Sequence, residues 1–475
     1  MLDGQRAYRQ HDARRLPGTR TERSEPSISS NGAAARRETI SSEHGGVDHA
    51  ARHHRINVLQ AMNNKVWRAC LCAFVCVFGF IAIAQSPTRL TGKLAYVQEG
   101  DIWVQILTEG TPHQMSQGGR ADHPQWSASG HWLSFDQIKK VNVIPIEPIR
   151  QDRITLETDR SAWSPKLDEI AFVDHGALAV LSLDPAIQQK RIIFRQPALG
   201  NITDFAWNPD GTSLAVVTTS DGRNRVTRLW YLNADGSDNR EISFVRPLYN
   251  LAGWSADREH ILLWVGGVSG SIAADGLPLV SVSVTSGDHQ LVTEEMLPYK
   301  EYVARSPVEN SVLVISGGNR QAWTTKRLIA FNTVTGNIVR RTDDSTAVAA
   351  CAWSPDGKVI AFAAGPNDRE AAGGERAKQA LSERRIWIMN ADGQQRRRLT
   401  TDAQYRDEYP LLSKDGQHIL FMRMDTQNMI SVWSVGLYDG TLMKLVDQIT
   451  GPAAKDSWSG YYGHVAWPSF IAYYQ

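Results

Sequence analysis

Cysteine is scarce, with four in the whole chain, and three of these (Cys70, Cys72 and Cys76) lie in one apolar run. Only Cys351 remains in residues 85–475, so no disulfide can staple that part and a hydrophobic core must hold it. Charge of one sign is also lacking: 51 Lys and Arg oppose 50 Asp and Glu, for a net charge of +1. That argues against a wholesale nucleic-acid binder. Residues 85–475 contain no Gly-x-x-x-x-Gly-Lys, Gly-x-Gly-x-x-Gly or His-x-x-x-His motif. They also contain no Gly-x-Ser-x-Gly elbow, although Gly267-Val-Ser269-Gly270 comes within one residue of it. The residues therefore point to no cofactor and no metal.

What is present changes at residue 62. Residues 1–61 are rich in Arg, Ser, Gly, Ala and His and show no apolar period, which reads as a disordered extension. Lys65 and Arg68 then precede the 16-residue apolar run 69–84, which closes on Ala82-Ile83-Ala84. A basic start, an apolar stretch and a small-x-small end describe a signal peptide over 62–84, with an uncleaved membrane anchor as the alternative. Met62 sits where such a segment should begin. Residues 1–61 then arise from an early start site, or else form a cytoplasmic tail. Either way residues 85–475 are expected outside the cytoplasm: periplasmic, secreted or at the cell surface.

Tryptophan is abundant, at 15 residues, and it recurs in a pattern. Ala352-Trp353-Ser354-Pro355-Asp356-Gly357 leads into Val359-Ile360-Ala361-Phe362. Ala206-Trp207-Asn208-Pro209-Asp210-Gly211 and Ala162-Trp163-Ser164-Pro165 repeat it, with weaker copies at Trp126, Trp254, Arg305, Leu412 and Trp467. The intervals run from 37 to 59 residues. Each unit has a second half, as in Ile386-Trp387-Ile388-Met389-Asn390-Ala391-Asp392-Gly393. Asp-Gly between apolar runs is a hairpin signal. The units therefore read as four-stranded blades of an all-β propeller over 85–475, with eight blades expected and seven as the alternative. The first blade, from Leu94, lacks an inner strand, and Val465-Ala466-Trp467 is expected to supply it and close the ring. The repeated Asp residues are what such turns require.

These motifs resemble the TolB-type, WD-repeat-like bacterial β-propeller family, which implies an extracytoplasmic propeller. The departures from TolB itself are the blade count and the lack of room for a domain before the propeller. The a–b and c–d turns are short, whereas the b–c and d–a links at the opposite end are long. Residues three before each motif position should ring the channel mouth on that long-loop face: His123, Arg160, Asp204, Leu251, Tyr302, Ala350, Tyr409 and His464. Of these His123, Arg160, Asp204, Tyr302, Tyr409 and His464 are the candidate binding residues. A metal on His464, His123 and Asp204 is the less favoured use of them. The insertion after Pro366 belongs to the same face and is expected to serve a partner rather than the fold.

The first functional expectation is a monomeric, non-catalytic binding or scaffold protein that engages a protein, peptide or glycan on this face. The alternative is a propeller enzyme, a polysaccharide lyase or hydrolase, with its site at the channel mouth. No nucleic-acid partner is expected, and membrane contact only through residues 66–84 if they stay uncleaved.

Overall fold

The computed structural model describes residues 90–146, 153–187, 189–196, 200–221, 226–242, 247–266, 270–450 and 461–475. The extension 1–61 and the segment 62–84 lie outside the described residues. Among the described residues no helix is long and apolar enough to cross a membrane.

Among the described residues there are eight sheets of four antiparallel strands, seven of them built from consecutive strands. Blade I spans 93–114, blade II 121–156, blade III 161–195 and blade IV 200–242. Blades V to VIII span 248–296, 303–340, 346–398 and 405–449. The eight-bladed reading holds and the seven-bladed one falls away.

The ring closes through the two ends of the propeller, by a different strand from the one expected. Ile471–Tyr474 pairs antiparallel with the start of blade I, placing Tyr473 opposite Leu94. Trp207 stands opposite Leu214 and Trp353 opposite Ile360 in the same way. Tyr473, not Trp467, is thus the repeat position of blade I. The indoles show the same equivalence: Trp207 donates to the Ala162 carbonyl at 3.0 Å and Trp254 to Ala206 at 3.0 Å. Trp126 donates to Ala472, the residue before Tyr473, at 3.2 Å. Each such indole ties its blade to the previous one at the same place.

The Ser-Pro-Asp-Gly segments are turns, as their composition requires. The Ser354 hydroxyl reaches Asp356 at 2.7 Å and accepts from the Val359 amide at 2.9 Å, while Gly357 takes φ 69°. Side chains interdigitate between blades. Leu178 and Val180 of blade III, for example, pack with Phe205 and Val216 of blade IV. Cys351 is buried in blade VII, where burial pushes its thiol up to about 12, so it behaves as a small apolar residue.

Pro124 and Pro410 lack the N–H that a ladder needs, and the register of their strands slips there, between Asp122 and Gln125 and between Glu408 and Leu411. His123 (φ 50°) and Tyr409 (φ 55°) sit inside these bulges. Blades IV, V and VII carry similar slips in their inner strands.

The insertion of blade VII contradicts its expected independence from the fold. Its helix, Gly374–Ser382, buries Ala377, Ala380 and Leu381 against Trp323 of blade VI. The Trp323 indole donates to the Ala371 carbonyl at 2.8 Å. The amphipathic spacing of Ala377, Ala380 and Leu381 gives the helix one apolar stripe, and Trp323 covers it.

Candidate functional site

The long-loop end of the channel is crossed by residues 461–470. Tyr461 and His464 exchange backbone bonds at 2.8 and 3.1 Å, with Tyr462 (φ 50°) and Gly463 (φ 84°) between them. Two central residues of positive φ make the tight turn that favours glycine. A Cβ on Gly463 would meet Trp323 at 2.9 Å and Leu381 at 3.0 Å, so the insertion helix and Trp323 form the seat of this turn.

The turn and the residues after it engage the channel wall group by group. The His464 Nε2 lies 2.7 Å from the Glu301 carboxylate, and its ring stacks on Tyr299 with centroids 3.5 Å apart. Arg384 and Arg406 both donate to the Gly463 carbonyl oxygen, at 2.8 and 3.0 Å. The Trp467 indole donates to Glu408 at 2.9 Å. Glu408 also accepts from Arg406 Nε at 2.7 Å and from Arg384. Burial alone would raise the Glu408 carboxyl. The Arg406 and Arg384 charges overcome that and hold it at about 2, so it stays ionised. Burial draws Arg406 down to about 10, against the pull of Glu408.

Together Glu301, Tyr302, Ala349, Ala350, Arg384, Glu408, Tyr409, His464, Val465 and Trp467 enclose about 10 Å³. That is room for one water at most. The Tyr302 hydroxyl is fully buried here and has no hydrogen-bond partner among the described residues. Burial pushes both the Tyr302 and Tyr409 hydroxyls well above the ordinary tyrosine range.

Three of the six candidates therefore come together: Tyr302, Tyr409 and His464. His464 arrives because residues 461–470 cross the mouth, not as an inner-strand position, since Phe470 is the residue three before Tyr473. The other three stand apart. Asp204 accepts from the Leu251 amide at 3.0 Å and lies 3.6 Å from Lys300. Arg160 donates to the Ile202 carbonyl at 3.1 Å. His123 contacts Asp122 at 3.2 Å, Asp136 at 3.8 Å and Ser469 at 2.8 Å. His464, His123 and Asp204 thus have separate partners. Among the described residues, the group whose ligand atoms lie within 4.8 Å of one another is instead Asp122, His123 and Asp136.

Glu301, Arg384, Arg406 and Glu408 escape the sequence reading, and Trp467, expected in the closing strand, lies at the mouth instead. One signal was available: Glu301-Tyr302 and Glu408-Tyr409 repeat a Glu-Tyr pair at the same place in blades VI and VIII.

A crevice of about 410 Å³ between blades II and III, lined by Trp132, Leu167 and Ile187, lies away from this cluster. Its three acids are occupied: Asp168 by Ser129 at 2.6 Å, Glu169 by Arg191 at 2.8 Å and Asp184 by the Ala186 amide at 2.9 Å.

No protein family and no curated relative matches the sequence. Solved structures do match. Dipeptidyl peptidase 4 of Porphyromonas gingivalis superposes with a TM-score of 0.52 at 10% identity, over 74% of this chain and 57% of that one. Dihydro-heme d1 dehydrogenase NirN, in complex with DHE, gives 0.53 at 12% identity over 78% of each chain. A putative TolB from Agrobacterium tumefaciens gives 0.34 at 15% identity, over 81% of this chain and 99% of that one. This chain is a β-propeller. The resemblance read from the Trp-Ser-Pro-Asp-Gly units holds at the level of the fold, and the chain spans 57% of the length of the peptidase.

The comparison corrects the first functional expectation. Two of the solved structures that superpose at a TM-score above 0.5 are a peptidase and a dehydrogenase, so a non-catalytic scaffold is not what the comparisons favour.

Proposed function

We propose that the propeller is an extracytoplasmic enzyme that cleaves a polysaccharide, by lyase or hydrolase chemistry, at the long-loop mouth of its channel. The observation that carries this reading is the Tyr302 hydroxyl, buried and unpartnered beside Glu301 in a cavity walled by Arg384, Glu408 and Tyr409. A buried hydroxyl left unpaired costs about 1–3 kcal/mol, and an atom of a bound ligand would satisfy it. Cleaving a glycosidic bond needs one group to take a proton and one to give it. Glu301 and the Tyr302 hydroxyl are suited to that pair, with the arginines neutralising charge that develops on the substrate. Tyr461 and Tyr462 are exposed at the same mouth, ring centroids 5.0 Å apart, and offer faces on which sugar rings stack. On this reading residues 461–467 cover the mouth, and substrate enters when they lift. Export rests on the signal-like segment 62–84.

The test is product release from a panel of neutral and acidic polysaccharides, read as new reducing ends and as unsaturated ends. Cleavage that falls at least ~100-fold in Glu301→Gln is expected. Absence of product with every polysaccharide, in wild type and in a Gly463→Ala protein with a loosened turn, would overturn the reading.

A further inference from the structure

The bulge at Pro124 gathers a second group of side chains, none of which lines the Glu301–Tyr302 cavity. Asp122 stands directly opposite Asp136 in the register of the two inner strands of blade II, so both carboxylates share one face. Like charges so placed repel. His123, at φ 50° inside the bulge, brings its imidazole to the same side, with Nδ1 3.2 Å from Asp122 and 3.8 Å from Asp136. One ligand atom from each of the three lies within 4.8 Å of the other two.

Two observations outside this trio bear on what it holds. The first concerns the far ring nitrogen. His123 Nε2 lies 2.8 Å from the Ser469 hydroxyl, on the segment that crosses the mouth. With the ring proton on Nε2 and donated to that oxygen, the Nδ1 lone pair faces two carboxylates, an arrangement that calls for a cation between them. Imidazoles that ligate metals are held in this way, by an acceptor on the other nitrogen. The second concerns the surrounding charge. Asp159 adds a third negative charge to the field at Asp136. Arg160 is turned to Asp159 at 3.7 Å and to the Ile202 and Thr203 carbonyls, and Arg153 lies over the Phe135 ring. Among the described residues no Lys or Arg pairs with Asp122 or Asp136, whose ionic partner is His123. In the metal-free protein protons must therefore balance the trio, and a divalent ion does so with both its charges.

We propose that Asp122, His123 and Asp136 bind a divalent first-row transition ion, zinc or manganese, through one imidazole nitrogen and two carboxylate oxygens. A nitrogen in the set favours such an ion over calcium or magnesium, which prefer oxygen throughout. The three side chains are 36–50% exposed, which leaves further coordination positions to water. The ion fixes the His123 ring and, through Ser469, the end of the segment that crosses the mouth. The site does not depend on the polysaccharide reading.

The test is equilibrium dialysis of the chelator-stripped full chain against zinc, manganese, calcium and magnesium in turn, with bound metal read by mass spectrometry. Zinc or manganese is expected to bind at one site with micromolar affinity, and calcium and magnesium at least tenfold more weakly. Which transition ion binds more tightly separates the two. Asp136→Asn and His123→Ala are each expected to weaken binding at least ~10-fold, and Ser469→Ala, which keeps all three ligands, to weaken it less. Binding should also weaken at pH 5, where protons compete for the ligands. Hydrogen exchange over 465–470 is expected to fall on adding the ion. Should His123→Ala lose its melting transition, Asp136→Asn carries the comparison. No binding of either transition ion, calcium or magnesium bound as tightly, or unchanged affinity in a folded variant of either ligand overturns the proposal. Metal binding without polysaccharide cleavage would sink the enzyme reading alone. Cleavage by a protein that binds no metal would sink this one alone.

Discussion

His464 and Glu301 lie 163 residues apart in the chain, yet the imidazole Nε2 stands 2.7 Å from the carboxylate, across the channel mouth. Nothing in the repeat requires this pair. The blades close through Tyr473 and Leu94, and residues 461–470 could reach that strand by a path outside the mouth. That they pass over it, and bond Glu301, Arg384, Arg406 and Glu408 in turn, makes the mouth a specified place rather than the blank end of a scaffold.

Ring closure is testable through its real strand. Deleting residues 471–475 removes the pairing of Ile471–Tyr474 with blade I and the seat of Trp126 on Ala472. An exposed inner edge then invites association between molecules. A lower melting temperature and concentration-dependent aggregation are expected by calorimetry and light scattering. A variant as stable and as monodisperse as the parent would contradict the closure.

The insertion helix is expected to matter for the fold and for the mouth. Trp323 is nearly buried among Ala371, Ala377, Ala380 and Leu381, so Trp323→Ala should cost ~3–5 kcal/mol if its site unfolds with the propeller. Urea denaturation measures this. Hydrogen exchange over 461–467 should rise in the same variant, because Trp323 is part of the seat of Gly463. Unaltered exchange there would separate the helix from the turn.

Asp136 supplies a pH test. Burial raises its carboxyl to about 6, with His123 opposing and Asp122 and Asp159 adding to the rise. A carboxyl whose folded pKa lies above its unfolded value favours the folded state when protonated. Its contribution is therefore full below the ordinary value of 3.8 and is lost as pH climbs through about 6. Asp136→Asn should melt at a higher temperature than wild type at pH 8 and at the same temperature near pH 4. A partly exposed side chain makes the difference a small one. A difference that does not vary with pH would contradict it.

Most of the fold was legible because a propeller repeats. Trp207, Trp254 and Trp353 occupy one structural place, and Asp-Gly turns need Gly at positive φ, so sequence period and geometry coincide. Closure was misplaced because Val465-Ala466-Trp467 copies the motif, while the true strand, Ile471–Tyr474, puts Tyr473 where the other blades have Trp. The rim was half legible. Tyr302 and Tyr409 follow from the repeat, but Arg384 follows a long insertion and Arg406 is the second residue of its strand, three before Tyr409 and so outside the repeat position. Contacts made by a segment that crosses several blades leave no periodic trace.

The most direct measurement is turnover by the intact protein on a panel of neutral and acidic polysaccharides, compared among wild type, Glu301→Gln and Tyr302→Phe at matched melting temperature. The account predicts product from wild type, and a loss of two orders of magnitude or more in Glu301→Gln and in Tyr302→Phe. Equal turnover in all three proteins, or none in wild type and in the loosened Gly463→Ala protein, would contradict it.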